Sequence, residues 1–131
     1  MRNLTKIIGG LVVVAVSFGI TLLLLQHFSG PGAYCKRDDL IALKPPFASF
    51  GGKGFVAYKQ APGGDSTQGP SISSLVLCED QKRLGPSRSM HDDIRTMGRG
   101  RYSHWGPDVI FSTSDNSDPN TNGHRYSYVL R

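Results

Sequence analysis

The sequence of 131 residues lacks the short motifs that mark common catalytic and nucleotide-binding sites. It contains no G-x-S-x-G elbow, no H-E-x-x-H metal motif, no C-x-x-C pair and no glycine-rich phosphate loop. These absences exclude the motif-bearing forms of serine hydrolases, zinc proteases, dithiol oxidoreductases and P-loop proteins. Internal repeats and a strand–helix–strand alternation are also absent, which excludes a solenoid and a doubly wound parallel sheet.

Charge is scarce as well, since Asp, Glu, Lys and Arg make up 19% of the chain. From residue 36 onward, thirteen Lys and Arg residues stand against ten Asp and Glu residues, a net charge of only +3. So small an excess excludes a strongly basic nucleic-acid surface, and we expect no nucleic acid partner. One local cluster, which is either a solvated basic turn or a phosphate patch, consists of Arg95, Arg99 and Arg101.

Cysteine is limited to Cys35 and Cys78. In an oxidising compartment such a pair is expected to form a disulfide, whereas in the cytosol the two residues would stay buried free thiols. Cys78 lies in a strand-like run, SSLVLCE, and Cys35 follows an apolar segment. We therefore predict a Cys35–Cys78 disulfide, with two buried thiols as the alternative.

What the chain does contain is one long apolar run, from Ile7 to Leu25, without a charged residue. Crossing a hydrocarbon core of about 30 Å takes roughly 20 apolar residues in a helix. We therefore predict a transmembrane helix over residues 7–28 that acts as a signal anchor. The alternative is a cleaved signal peptide, but its apolar part is only about 7–15 residues long, and Pro31 and Tyr34 fit a cleavage site poorly.

The flanking charges predict how this helix is oriented. Because Arg2 and Lys6 precede it, residues 1–6 are predicted to form a short cytoplasmic tail. Residues 29–36 then form a Gly/Pro-rich linker, and residues 37–131 form an extracytoplasmic domain. The predicted location is the bacterial inner membrane, with a single pass, the C-terminal domain outside and the lipid bilayer as the first partner.

The residues after the linker are typical of one small β domain. Residues 60–71, which are polar and rich in Gly and Pro, predict a mobile loop without a buried residue. Four runs are rich in β-branched and aromatic residues and are bounded by turn formers; they are Gly54–Lys59, Ser73–Glu79, Asp108–Thr113 and His124–Leu130. We therefore predict a mainly antiparallel, sandwich-like β domain with one short helix.

The short helix is predicted from its end signals. Ser89 can cap a helical turn that includes His91 and Ile94. Asp92 follows Ser89 by three residues, which is the spacing of an acidic residue in a capping box. Gly98 then supplies a residue that can adopt the left-handed conformation at which helices stop. This helix is the only one that we predict after the apolar run.

A polar stretch at residues 112–123 allows two interpretations. Its end matches the start D-x-N-x-N-G of a calcium loop, with predicted metal ligands Asp118, Asn120 and Asn122. The twelfth loop position would be Val129, which has no carboxylate. Alternatively, Asn122–Gly123 is a strong signal for a β-hairpin that joins the flanking strands. Ca²⁺ is the one cofactor that the sequence suggests.

The segment Leu84–Tyr126 resembles one that recurs at the ends of bacterial proteins associated with surface polysaccharide assembly, including sugar, methyl and sulfo transferases. The most specific pieces are GRYSHW at residues 100–105 and FSTSDNSDP at residues 111–119. The family segment has Arg at the positions of Asn120 and, often, His124. The resemblance implies an association with cell-surface polysaccharide and names no activity.

A sugar-binding site is predicted within this segment. The C–H face of a sugar ring packs on an indole, while its hydroxyls bond to Asp, Asn or Arg side chains. The alternative is that Trp105 anchors the core and His104 fixes a turn. The predicted ligand-binding residues are Arg101, Tyr102, His104, Trp105, Asp115 and Asn116.

Candidate catalytic groups are fewer and carry no motif. General acid–base chemistry would use His91, Asp93 or His104, with Ser103 or Ser112 as a nucleophile. The sequence therefore favours a membrane-anchored, non-catalytic binding or accessory module for cell-surface glycans. One alternative is a small membrane-tethered hydrolase or transferase. Another is a structural subunit whose helix packs, through the small pair Ala15 and Gly19, on a second membrane protein.

Overall fold

A computed structural model describes residues 33–131. The predicted cytoplasmic tail at 1–6, the transmembrane helix at 7–28 and the first residues of the linker lie outside the described residues. Within the described part, no helix has the length and apolar content needed to cross a membrane. The linker's last residues, Ala33–Lys36, form a 3₁₀ turn that belongs to the folded domain, since Cys35 is buried.

The domain consists of two four-stranded antiparallel sheets and one short helix, α1, at His91–Thr96. Sheet A has the strand order β1-β8-β4-β5, and sheet B has the order β2-β3-β7-β6. The strands are β1 (Ile41–Ala42), β2 (Ala48–Gly51), β3 (Gly54–Ala57), β4 (Leu75–Glu79), β5 (Lys82–Arg83), β6 (Tyr102–Trp105), β7 (Asp108–Phe111) and β8 (Tyr126–Leu130). The prediction of a sandwich-like antiparallel domain with one short helix is thus confirmed.

The main core lies between the inner faces of the two sheets. Because side chains alternate along a strand, Leu75 and Leu77 of β4 point into this core while Val76 points outward. The ring of Phe111 packs edge-on against Phe47, with centroids 5.2 Å apart. Most of the remaining core is apolar as well; its buried members include Leu43, Ala57, Ala61, Leu84, Tyr102, Val109, Tyr126 and Tyr128.

Each sheet also has an outer face that is partly covered. On sheet A, the 3₁₀ turn places Cys35 over Val76 and Val129, and a disulfide joins Cys35 to Cys78. The predicted disulfide is therefore present. On sheet B, α1 covers the outer face through Ile94, which packs with Val56 and Ile110; the helix is amphipathic over its few residues.

The N-terminus of α1 differs from the prediction that Ser89 caps it, and that prediction is wrong. Met90 is the N-cap residue and makes no side-chain cap hydrogen bond. Ser89 is instead held at the edge of β6, where its N–H donates to the carbonyl of Tyr102, and its hydroxyl donates to Pro86 O over 2.8 Å. The helix ends at Thr96 with Met97 as its C-cap residue, and Gly98 follows with φ +65°, as expected for the residue after a helix.

The hairpin predicted at Asn122–Gly123 is also wrong. The strands that flank residues 112–125 belong to different sheets, β7 to sheet B and β8 to sheet A. The loop therefore crosses from one sheet to the other. The side chain of Asn120 holds it there by bracketing the backbone of Phe47, accepting from its N–H (2.7 Å) and donating to its carbonyl (3.0 Å).

The loop at residues 60–71 is better packed than its composition predicts. Ala61 and Asp65 are buried, so the expectation of a loop without a buried residue is wrong. The reason is a close backbone approach at Gly64, where a Cβ atom would lie 2.3 Å from the carbonyl oxygen of Gly106. Only glycine allows this segment to lie against the turn between β6 and β7.

Opening the disulfide is expected to destabilise the domain strongly. The bridge closes a loop with a sequence separation of 43, for which chain entropy predicts a loss of about 4 kcal/mol in the free energy of unfolding. The measurement is chemical denaturation of the double variant Cys35→Ala/Cys78→Ala beside the oxidised protein. Adding a reductant should not destabilise the variant further, and a loss below about 1 kcal/mol would contradict the prediction.

Candidate functional site

Strand β6 separates the predicted site residues onto two faces of sheet B. Tyr102 and His104 point into the core, whereas Ser103 and Trp105 point to the outer face. The hydroxyl of Tyr102 donates to the carbonyl of Leu75 across the core, over 2.9 Å. Of the four residues of this strand, only Trp105 is exposed, with 39% of its surface accessible.

Trp105 borders a groove of about 450 Å³ on the outer side of sheet B. We call this the Trp105 groove. Its walls come from three parts of the chain: the loop at 60–71, the segment that leads into α1, and β6. The lining residues that matter for recognition are Asp65, Arg88, Met90, His91, Asp92 and Trp105.

The indole of Trp105 is held in place by a row of aromatic contacts. The His91 ring packs edge-on against Trp105, with centroids 5.7 Å apart, and against Phe50 on its other side, at 5.3 Å. The guanidinium of Arg95 lies over the Phe50 ring, 5.1 Å from its centroid. These contacts position the indole while leaving part of it open to the groove.

His91 is uncharged near neutral pH. Burial lowers the pKa of its imidazole below the ordinary value of 6.5, and the positive charge of Arg95 lowers it further. A neutral imidazole has one donor and one acceptor nitrogen. Since His91 lines the groove, it can offer one of these nitrogens to a hydroxyl group.

Asp65 and Arg88 form the polar wall beside the indole. One carboxylate oxygen of Asp65 accepts from the N–H of Ser73 (2.8 Å), and the other lies 3.8 Å from Nε of Arg88. Arg88 also donates from Nη2 to the carbonyl of Ser73, over 2.7 Å. The backbone of Asp65 pairs with β6, because its N–H donates to the carbonyl of His104 and its own carbonyl accepts from Gly106 N–H. The carboxylate is thus fixed next to Trp105.

His104 has a different place from the one predicted for a ligand-binding residue. It is buried, its Nε2 is 2.8 Å from the carbonyl of Ala61, and its Nδ1 is 2.7 Å from the hydroxyl of Ser73. A carbonyl can only accept, so Nε2 donates to Ala61, while Nδ1 is hydrogen-bonded to the hydroxyl of Ser73. The ring therefore joins three segments of the chain from inside the core.

The predicted catalytic residues do not converge in the structure. His91 lies on the outer side of sheet B, and His104 lies on its inner side. Asp93 is in the first turn of α1 and is absent from the lining of the Trp105 groove. Ser112 is buried, and its hydroxyl donates to the carbonyl of Arg101. Ser103 does line the groove, but acid–base catalysis stays a prediction.

The other predicted ligand residues lie away from Trp105, beyond the opposite end of β6. Arg101 donates from Nη1 to Gly98 O over 3.0 Å, and the amide oxygen of Asn116 accepts from Arg99 N–H over 2.7 Å. Asp115 accepts from the hydroxyl and N–H of Ser117, and these bonds hold the pKa of its carboxyl below the ordinary value. All three side chains support the local backbone.

The three predicted calcium ligands lie in one loop, and their side chains already make local hydrogen bonds. Asp118 accepts from the N–H of Asn120, and Asn120 is paired with the backbone of Phe47. The amide oxygen of Asn122 accepts from His124 N–H, and its amide nitrogen donates to Tyr126. These bonds account for the loop's polar sequence, and cation binding there stays a prediction.

Sequence reasoning identified Trp105 but missed most of the groove. The missed residues lie outside regular structure: Asp65 is in the loop at 60–71, and Arg88 and Met90 are in the segment that leads into α1. The one available signal was the loop's Gly63–Gly64 pair, which is compatible with a close approach. An isolated Asp in a polar loop carries no pattern that reveals such an approach.

Comparison with known proteins adds no assignment. No protein-family model matches the chain, and no curated protein and no solved structure matches it. The resemblance of Leu84–Tyr126 to segments of polysaccharide-associated proteins therefore stays a prediction. The candidate site rests on its own geometry.

A second polar cluster joins the turn after β4 to the crossing loop. Nδ1 of His124 donates to the carboxylate of Asp80 over 2.7 Å, and Nε2 lies 3.7 Å from Glu79. Glu79 is buried and accepts from the N–H of Ser114. The hydrogen bond to Asp80 raises the pKa of His124, helped by the charges of Glu79, Asp80 and Asp115. Bonds from Arg125 N–H and from His124 lower the pKa of Asp80.

This cluster predicts a stability change with pH. Because the folded pKa of His124 is raised above 6.5, its contribution is fully present below that ordinary value and is lost as the pH rises through the raised value. The contribution of Asp80 is lost at the acidic end, as the pH falls through its lowered pKa. Denaturation should therefore show that His124→Gln costs more stability at about pH 5.5 than at about pH 8.5.

The matched control for this experiment is His91→Gln. The pKa of His91 is lowered rather than raised, so its replacement should not cost more at the acidic pH. An equal cost of His124→Gln at both pH values would contradict the ion-pair interpretation.

His104 is predicted to have a structural role. Replacing His104 by Ala removes two hydrogen bonds and leaves a cavity, so the free energy of unfolding should fall by about 3 kcal/mol. Ser73→Ala removes one of these hydrogen bonds and should cost about 1–2 kcal/mol. Denaturation measures both. A His104→Ala protein that keeps wild-type stability but loses a hydrolytic activity would instead support the catalytic alternative.

Proposed function

We propose that this chain is a membrane-anchored, extracytoplasmic glycan-binding module whose sugar site is the Trp105 groove. The observation that carries the proposal is the half-open indole of Trp105, which is held by His91 beside the charged pair of Asp65 and Arg88. An aromatic surface next to directional polar groups is the combination that sugar rings need. Their C–H faces are apolar, and their hydroxyls require hydrogen bonds.

The polar wall suits a pair of neighbouring hydroxyl groups. The free side of the Asp65 carboxylate accepts hydrogen bonds, and the Arg88 guanidinium donates them. Because the two groups are 3.8 Å apart, they are close enough to contact adjacent hydroxyls of one ring. Neutral His91 provides a further donor or acceptor. The site therefore needs no rearrangement of the core to receive a sugar.

Two further observations support this function. The segment that resembles proteins of surface polysaccharide assembly, Leu84–Tyr126, includes Arg88, His91 and Trp105. The Cys35–Cys78 disulfide is typical of an oxidising compartment, which supports a domain outside the membrane. In this proposal the predicted anchor at 7–28 keeps the module at the bacterial inner membrane, where it assists polysaccharide assembly without catalysing it.

Replacing Trp105 by Ala should weaken glycan binding strongly without unfolding the protein. Since the indole supplies the apolar surface, we expect an affinity loss of about tenfold or more. The measurement is binding of the full chain, purified in detergent, to an array of bacterial surface glycans. The melting temperature should stay close to that of the wild type, because Trp105 lies at the outer face.

The matched control is Tyr58→Ala. Tyr58 is also an exposed aromatic residue, 58% accessible, but it does not line the groove. This variant should bind like the wild type. Retained binding by Trp105→Ala would contradict the proposed site, and a large fall in its melting temperature would show that Trp105 is a core anchor instead.

A further inference from the structure

The charged side chains that line the Trp105 groove include more carboxylates than cations, which disfavours an anionic ligand. Two of them, Asp65 and Asp92, are carboxylates, and one, Arg88, is a cation. We propose that the groove selects uncharged pyranose sugars and rejects sugars that carry carboxylate or sulfate groups. This inference rests on the proposed function, and it names the ligand class of the same site.

Asp65 makes the larger contribution to this selection. Its side chain is only 7% exposed, so solvent screens its charge weakly. One oxygen is already committed to Ser73 N–H, and the other has no hydrogen-bonded cation, because Arg88 Nε is 3.8 Å away. An uncharged hydroxyl can donate to that oxygen, whereas a ligand carboxylate would be repelled by it.

Arg88 does not compensate as a free anion-binding group. Its Nη2 donates to the carbonyl of Ser73, and its Nε is oriented toward Asp65. The guanidinium is therefore held to the wall of the groove by one hydrogen bond, and its charge faces that of Asp65 in an ion pair. His91 adds no positive charge, since it is uncharged near neutral pH. Among the described residues that line the groove, two carboxylates therefore stand against one guanidinium, and the net charge of the lining is negative.

Asp92 extends the negative wall toward solvent. It lies in the first turn of α1, and its side chain is 75% exposed. Its partner is Arg95, with Nη2 at 3.6 Å from the carboxylate, but Arg95 does not line the groove, so Asp92 is the member of the pair that a ligand meets. Asp92 is therefore a second specificity-determining residue, and its substitution does not disturb the core.

The test compares matched sugars on the full chain in detergent. The probes are β-linked hexasaccharides of glucose, galactose and mannose, together with their glucuronate, galacturonate and mannuronate counterparts. At low ionic strength the neutral member of a recognised pair should bind about tenfold more tightly than the acidic member, because like charges repel across the groove. At high salt this ratio should shrink, as expected for screened repulsion.

Variants that remove one negative charge each show which carboxylate causes the preference for neutral sugars. Asp92→Asn should raise the affinity for the acidic hexasaccharide severalfold and so lower the ratio of neutral to acidic affinity. Asp65→Asn, whose amide oxygen can still accept from Ser73 N–H, should reduce the ratio of neutral to acidic hexasaccharide affinity further. The matched control is Asp38→Asn, an exposed aspartate that does not line the groove, and it should leave the ratio as in the wild type.

The possible results separate this inference from the proposed function. Equal or tighter binding of the acidic sugars would overturn the inference while leaving glycan binding intact. A preference for neutral sugars that neither Asp92→Asn nor Asp65→Asn reduces would overturn the assignment to these carboxylates. Failure of every probe to bind would overturn both the proposed function and the selection.

Discussion

The ring of Phe111 lies at the centre of the packing on which the rest of the domain depends. It contacts Phe47 and Tyr126, with centroids 5.2 and 5.1 Å away, and Tyr126 belongs to the opposite sheet. Because side chains alternate along a strand, placing Phe111 in the core also places its register partner Tyr102 there and turns Trp105 outward. The inner core thereby decides which residues of β6 can meet a ligand.

The two outer faces are covered in different ways, and this difference creates the groove. On sheet A, the disulfide between Cys35 and Cys78 holds the 3₁₀ turn against the strands. On sheet B, the cover is α1, which has only six residues and buries Ile94. So short a helix leaves Trp105 accessible at the end of β6. The loop at 60–71 then completes the walls, since Gly64 permits its close approach.

The candidate site combines apolar and charged groups from parts of the chain that no local pattern connects. The sequence identified the aromatic positions, and it predicted that Trp105 is either a ligand contact or a core anchor. Its partners could not be predicted, because Asp65 and Arg88 are distant in the sequence and are brought together by their ion pair and by hydrogen bonds to Ser73. Other predicted site residues, such as Asn116, proved to support the backbone of neighbouring turns.

Local patterns in the sequence determined four of the eight strands (β3, β4, β7 and β8), the short helix that stops before Gly98 and the pairing of Cys35 with Cys78, because periodicity, turn chemistry and cysteine count act over short distances. The other four strands, β6 among them, carry too short a pattern to be identified from the sequence. Only the tertiary structure decided that residues 112–125 cross between sheets and that His104 is enclosed while Trp105 is open. The physical reason is that strand pairing and side-chain burial are set by contacts between distant segments, which no single stretch of sequence contains.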